Sequence, residues 1–189
     1  MQEQNEVMPA VIALAGRRVD AADTAPPRFP LSNVPLVRRQ LADLLVQERA
    51  LALVSSAACG ADLLALEEAE RLGIQRRIVL PFPPERFRDT SVVDRPGDWG
   101  PLFDRILAAA RAACDLVVLE ADTAGDDAAY AAANAAIIAE AESLAEKGKY
   151  RLVAALVWEG AARPQGDATG EFQSLAAAAG FAERTVITV

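Results

Sequence analysis

The chain has no histidine, and this one absence removes much of ordinary enzyme chemistry. A Ser-His-Asp triad and a His-ligated metal site are excluded, so any proton transfer must use carboxylates, Tyr, Lys, Cys or water. Cysteine is nearly as scarce. Cys59 and Cys114 are the only two, in separate apolar settings without CxxC spacing, which fits a reducing, cytoplasmic location. The carboxylates are scattered as well, so neither a metal nor a cofactor is expected. Positive charge is also thin: the formal net charge is -8 and no block of Lys or Arg exceeds two residues. The electrostatic footprint of non-specific nucleic-acid binding is missing, and nucleic acid is disfavoured as a partner. No apolar stretch approaches the about 18 residues of a membrane span. The opening MQEQNEV has neither the basic region nor the apolar run of a signal peptide.

What the 189 residues do have is 52% hydrophobic content, ample for one sizeable core. Residues 1–8 read as a disordered polar terminus and 9–189 as a single domain. Ala10–Ala15 is a continuous apolar run closed by Gly16, the pattern of a strand buried on both faces. Leu51–Val54, Arg77–Leu80, Leu116–Leu119, Leu152–Val157 and Thr185–Val189 supply further strands. The stripe Val34, Val37, Leu41, Leu44 and Leu45 marks a helix capped by Ser32 or Asn33. Ala61–Gly73, Pro101–Ala112, Ala128–Glu146 and a short segment ending near Gly180 mark others. Pro81–Gly100, with four prolines and no sustained period, reads as a long functional loop. Alternating apolar strands and helices imply an α/β fold: a doubly wound, mostly parallel, Rossmann-like sheet of about six strands with helices on both faces. The strand-to-helix connections are long, polar or glycine-containing, whereas the helix-to-strand connections are short. A ligand is therefore expected outside the carboxyl ends of the strands.

The strand Leu51–Val54 empties through Ser55-Ser56-Ala57-Ala58-Cys59-Gly60 into the helix opening at Ala61-Asp62. Small side chains let a ligand approach the backbone, and N–H groups at a helix start suit an anion. Ser55, Ser56, Ala57, Cys59, Gly60 and Asp62 are thus candidate phosphate-cradle residues. Tight helix-on-sheet packing, with Asp62 favouring the first helical turn, is the alternative. Gly16, Arg17 and Arg18 end the first strand, where a guanidinium can make paired hydrogen bonds to phosphate; a solvated pair is the alternative. Tyr130 and Asn134 share a helix face and suit a base or sugar. In the long loop Phe87, Arg88, Ser91, Asp94, Asp98 and Trp99 combine aromatic surface with charge, as a lid would need. Asp98 also fits a helix cap and Trp99 a core plug. Gly166–Glu171 is a second small-residue run, in which Asp167, Thr169 and Glu171 are candidate ligand contacts or caps. Cys59 beside a helix N-terminus could carry a lowered pKa, against the commoner state of a small buried thiol.

These motifs resemble the SLOG superfamily, which groups the Rossmann domain of DNA-processing protein A (Smf) with the Lonely Guy nucleotide phosphoribohydrolases. Val11–Arg17 is similar to that family's first strand ending in Gly-Arg. Val54–Asp62, continuing to Glu68-Ala69, resembles its Ser-Gly-x-Ala-x-Gly-x-Asp turn and following helix. LPF at Leu80–Phe82, FRxxSV from Phe87, DWG at Asp98–Gly100, the Tyr130/Asn134 helix and VWEG followed by GDxT look like a sensor-like branch associated with nucleotide signalling. The resemblance implies a nucleotide-binding domain and a homodimer. Lonely Guy enzymes carry Pro-Gly-Gly-x-Gly-Thr-x-x-Glu with a catalytic Glu. Here Ala168 stands where a glycine is expected, and Phe172 rather than Glu171 falls at the acid's position. The leading expectation is therefore a sensor-like domain that binds a nucleotide or nucleotide-derived small molecule. The alternative is N-glycosidic cleavage of a nucleoside monophosphate, with Glu171 or Asp167 stabilising a ribosyl cation or activating water. A purely structural module ranks last, because a scaffold does not require the loop asymmetry.

Overall fold

The computed structural model describes residues 8–119, 125–163 and 166–189. The expected disordered terminus, apart from Met8, and the first half of the polar turn expected over 122–127 lie outside them. Six strands, β1 (Ala10–Gly16), β2 (Ala50–Ser55), β3 (Gln75–Leu80), β4 (Leu116–Val118), β5 (Arg151–Trp158) and β6 (Ala182–Ile187), form one sheet. Its order is β4-β3-β2-β1-β5-β6 and every pairing is parallel. The helices are α1 (Val34–Gln47), α2 (Ala61–Arg71), α3 (Pro84–Ser91), α4 (Gly100–Ala112), α5 (Asp126–Leu144) and α6 (Ala168–Ala178). Among the described residues no helix is long and apolar enough to cross a membrane.

Alternation along β1 shows why the sheet is wound on both sides. Ala10, Ile12 and Leu14 pack in a core with residues of α1, α2 and α4, whereas Val11 and Ala13 pack with α5 and α6. Residues 10–14 are at most 1% exposed, so neither face carries a polar position and the strand reads as an unbroken apolar run. The crossover α5 passes over the middle of the sheet. Ala129, Ala133, Ile137 and Ala141 are among its buried positions, a spacing of four that keeps a mostly alanine face toward the strands. The strand order reverses at β1, with β2 to β4 on one side and β5 and β6 on the other. A crevice therefore opens at the carboxyl ends of β1 and β5, the switch point of a doubly wound sheet.

Three sequence-based expectations change. The loop expected over Pro81–Gly100 contains α3, which begins with Pro84 at a position that needs no amide hydrogen. Phe87 on its inner face is stacked on Phe103 with ring centroids 6.1 Å apart. Asp98 caps nothing: α4 has no side-chain cap bond, while Trp99 fills the core, 6% exposed, with its indole N–H donated to the Pro96 carbonyl. The last strand begins at Ala182 rather than Thr185, and its first four residues are exposed, so an edge strand here offers no apolar run.

Gly16 and Gly60 fix the approach of β1, α2 and β5. A Cβ on Gly16 would lie 2.5 Å from the Ala61 Cβ and 2.7 Å from the Val157 Cβ. Gly60 has φ +94° and a Cβ there would sit 2.8 Å from both the Arg17 carbonyl oxygen and the Val19 nitrogen. Gly60→Ala is therefore expected to cost at least about 2 kcal/mol, from backbone strain and backbone collision together. A lowered urea midpoint with unchanged slope is the expected result.

Candidate functional site

A cleft of about 640 Å³ opens at the switch point, within the about 300–1,000 Å³ typical of small-molecule sites. It takes Gly16, Arg17 and Arg18 from the end of β1, Ser56 and Asp62 from the turn into α2, and Ser91 from α3. Tyr130 and Asn134 come from α5, and Asp167, Thr169 and Glu171 from the start of α6. All of these are among the residues that the sequence singles out. Eight others of that set do not line it, Asp94, Asp98 and Trp99 among them. Ser55 is wholly buried and donates to the Ser56 carbonyl at 2.8 Å. Ala57 and Cys59 are 0% exposed, and Gly60 lies beneath the end of β1. Arg88 grips Asp104 with two hydrogen bonds on the surface.

The turn into α2 uses its amides to hold the fold. Ala58 N–H donates to Asp62 Oδ2 at 3.1 Å, Cys59 N–H to the Ser91 carbonyl at 3.0 Å and Ala61 N–H to the Arg17 carbonyl at 3.1 Å. This corrects the expectation of an open backbone cradle: three of the candidate donors already have protein acceptors. Cys59 takes the commoner of its two expected states, a small buried thiol. Burial pushes its thiol up to about 12, and the nearby Arg18 only partly offsets this, so it is no thiolate.

Arg17 differs most from expectation. It is 4% exposed, and its guanidinium donates to both oxygens of Glu159 (2.6 and 3.0 Å), to both oxygens of Asp167 and to the Ala161 carbonyl at 3.0 Å. It also lies 5.7 Å from the Trp158 ring centroid. A guanidinium so engaged is an anchor between β1 and the β5–α6 connection, not a free phosphate ligand. Burial works against its charge, yet the bonds from Asp167 and Glu159 outweigh this and hold its pKa above the ordinary value. Asp167 is committed in the same way. Besides Arg17 it accepts the N–H groups of Thr169 (3.1 Å), Gly170 (3.3 Å) and Arg163 (2.6 Å), capping α6. Burial would raise its pKa, but Arg17 and these N–H groups bring it down to about 2. As a catalytic candidate it is corrected to a cap. Glu171 remains exposed at the rim.

Tyr130 and Asn134 tie α5 to its neighbours. The Tyr130 hydroxyl meets Ser91 Oγ at 2.7 Å and its ring stands edge-on to Phe82. Asn134 donates to the Ala168 carbonyl at 2.9 Å.

The cleft also contains residues that the sequence does not single out, chiefly Asp20, Arg28, Arg95 and Arg163. Asp20 shapes the loop after β1 by accepting the N–H groups of Arg28 and Phe29. The Arg28 guanidinium is 3.6 Å from Glu159. That of Arg163 makes no ion pair or hydrogen bond among the described residues. Burial, then the charges of Arg28 and Arg17, lower its pKa. On the opposite wall Arg18 bonds Asp94 (2.8 Å) and the Thr90 carbonyl, while Arg95 Nε is 3.3 Å from the same Asp94 and has no hydrogen bond. Their common signal is placement: Asp20, Arg28 and Arg163 lie in strand-to-helix connections, and Arg95 between α3 and α4.

The chain matches no protein-family model and no curated protein. Fold and cleft together define a doubly wound α/β protein with an arginine-lined crevice at its switch point.

Removing the anchor should be expensive. Arg17→Met leaves Asp167 and Glu159 without their main counter-charge and is expected to lower stability by about 3 kcal/mol at neutral pH. The depressed Asp167 pKa also fixes an acid limb: its contribution is complete above about pH 4 and lost as pH falls through about 2. Urea midpoints measured down to acid pH should show this limb in the native protein and a flatter one in Arg17→Met.

Proposed function

We propose that the chain binds a nucleotide or nucleotide-derived ligand in the switch-point cleft, as a sensor-like domain. The carrying observation is the charge left over after internal pairing. Arg18, Arg28, Arg95 and Arg163 line the cleft, and their ion pairs draw on only Asp94 and Glu159, the latter already held by Arg17. Of the five acidic lining groups, Asp20 and Asp167 are committed to backbone N–H groups and Arg17, Asp127 and Glu171 are exposed at the rim, and burial disfavours the charge of Asp62. Planar guanidinium forks suit phosphate oxygens, and a local surplus of them can attract an anion despite the net charge of -8. Ala15, Gly16, Ser56 and Ala58 keep one wall low, and Tyr130 offers a ring and hydroxyl to a base or ribose.

The SLOG resemblance points the same way and carries with it a homodimer, while the two scattered cysteines suit a cytoplasmic location. The N-glycosidase reading gains less support, since Asp167 is committed to its cap and to Arg17.

A thermal-shift screen with nucleoside monophosphates, dinucleotides, cyclic nucleotides and ADP-ribose derivatives tests the proposal. Ligand at about 100 times its dissociation constant adds about 2.7 kcal/mol. The expected result is a raised midpoint with at least one phosphorylated compound, lost in the double variant Arg28→Ala, Arg163→Ala. No shift across the panel, or a shift that survives the double variant, would overturn it.

A further inference from the structure

Three acidic residues are buried among the described residues, and two are neutralised. Glu48 is paired with Arg151 and Arg184, and Glu68 with Arg38 and Arg71. Asp62 is the third, 6% exposed, and it has no ion pair among the described residues. Its Oδ2 accepts the Ala58 N–H at 3.1 Å, and among the described residues no donor reaches Oδ1. The side chain lines the cleft beside Ser56, whose buried Oγ also has no hydrogen-bond partner. Ser56 Oγ thus lacks a partner, where buried polar groups are normally satisfied, beside a carboxyl that lines the same cleft.

The charged and titratable groups around Asp62 are few. Arg18 approaches from the end of β1, Cys59 belongs to the same turn, and Asp94 and Arg95 stand beyond them after α3. The hydroxyls of Ser91 and Tyr130 lie on the facing cleft wall. The charge of Arg18 is shared with Asp94, so burial dominates and pushes Asp62 up to about 7.

Building on the reading of the cleft as an anion site, we propose that Asp62 is its proton-holding group, donating a carboxyl hydrogen bond to an anionic oxygen of the ligand. An anion held by the arginines disfavours a second negative charge beside it. As it binds, Asp62 takes up a proton from solvent and forms an O–H···O⁻ bond, a short and strong type. At alkaline pH that proton must be supplied against the equilibrium, and binding weakens. A role confined to folding, holding the turn through Ala58 N–H, would be met equally by asparagine and would show no such coupling.

Asp62→Asn keeps the acceptor for Ala58 and cannot ionise. The probes are inorganic phosphate and AMP, applied to the full chain. In the unliganded native protein the carboxyl carbon NMR signal of Asp62 should titrate near neutrality. Between about pH 6 and about pH 8 the affinity of the native protein should fall about tenfold relative to Asp62→Asn; the ratio removes the probe's own ionisation. A raised folded-state pKa costs stability as pH rises through it, so Asp62→Asn should also melt higher than the native protein at the alkaline end. A carboxyl signal that titrates in the ordinary carboxylate range, or an affinity ratio flat with pH, would overturn the proposal. If phosphate binds with this coupling and AMP does not, the nucleotide reading falls and the role of Asp62 stands. If neither anion binds, both fall.

Discussion

The Arg17 guanidinium is the interaction on which the cleft depends. One side chain at the end of β1 is bonded to Glu159 just after β5 and to Asp167, the cap of α6. The residues it joins are 142 and 150 positions apart in sequence. It therefore closes the switch point on the β5 side and sets where α6 begins. Gly16 and Gly60 complete the arrangement, because only a residue without a Cβ lets α2 and β5 come this close to β1. Buried ion pairs are poor general sources of stability, but they fix geometry when their lone pairs are used, and here Asp167 also accepts three backbone N–H groups while Glu159 also faces Arg28.

This anchoring leaves the remaining charges free for another purpose. Arg17 takes up the two carboxylates that would otherwise neutralise Arg28 and Arg163, and Asp94 serves both Arg18 and Arg95. The cleft thus holds cations on two walls within an acidic protein, with an uncompensated carboxyl, Asp62, between the β1 end and the turn into α2. An anion relieves the repulsion between Arg28 and Arg163 while raising the advantage of a protonated Asp62. On the proposed reading, attraction of the ligand and proton uptake are two consequences of one charge distribution.

Much of the fold was legible because burial on both faces leaves long apolar runs. β1, β2 and β5 lie within a residue or two of the runs that announce them, and Gly73 follows α2 with the positive φ of a helix stop. α3 was hidden by its prolines and its eight-residue length, too short to display a period. β6 was shifted because its exposed start carries no hydrophobic signal. In the site, the asymmetry of the connections pointed to the edge of the sheet where the cleft opens, and Gly16, Ser56, Asp62, Tyr130 and Thr169 do meet there. What could not be read was which groups would already be engaged. Nothing local to Arg17 or to the Ser55–Gly60 turn reveals that Glu159, Asp167 and the Ser91 carbonyl will claim their donors. Arg28, Arg95 and Arg163 were silent for the opposite reason: single arginines in irregular segments have no pattern, and their availability is a fact of the folded surroundings.

The central claim is that an anion is taken by the under-paired arginines while Arg17 keeps its carboxylates. The most direct measurement follows the guanidinium Nε–H NMR signals of individually assigned arginines during titration with AMP. Shifts at Arg28, Arg163 and Arg95 with Arg17 unmoved are the predicted result. Movement of Arg17 with the other three unchanged, or no arginine responding at all, would contradict the account.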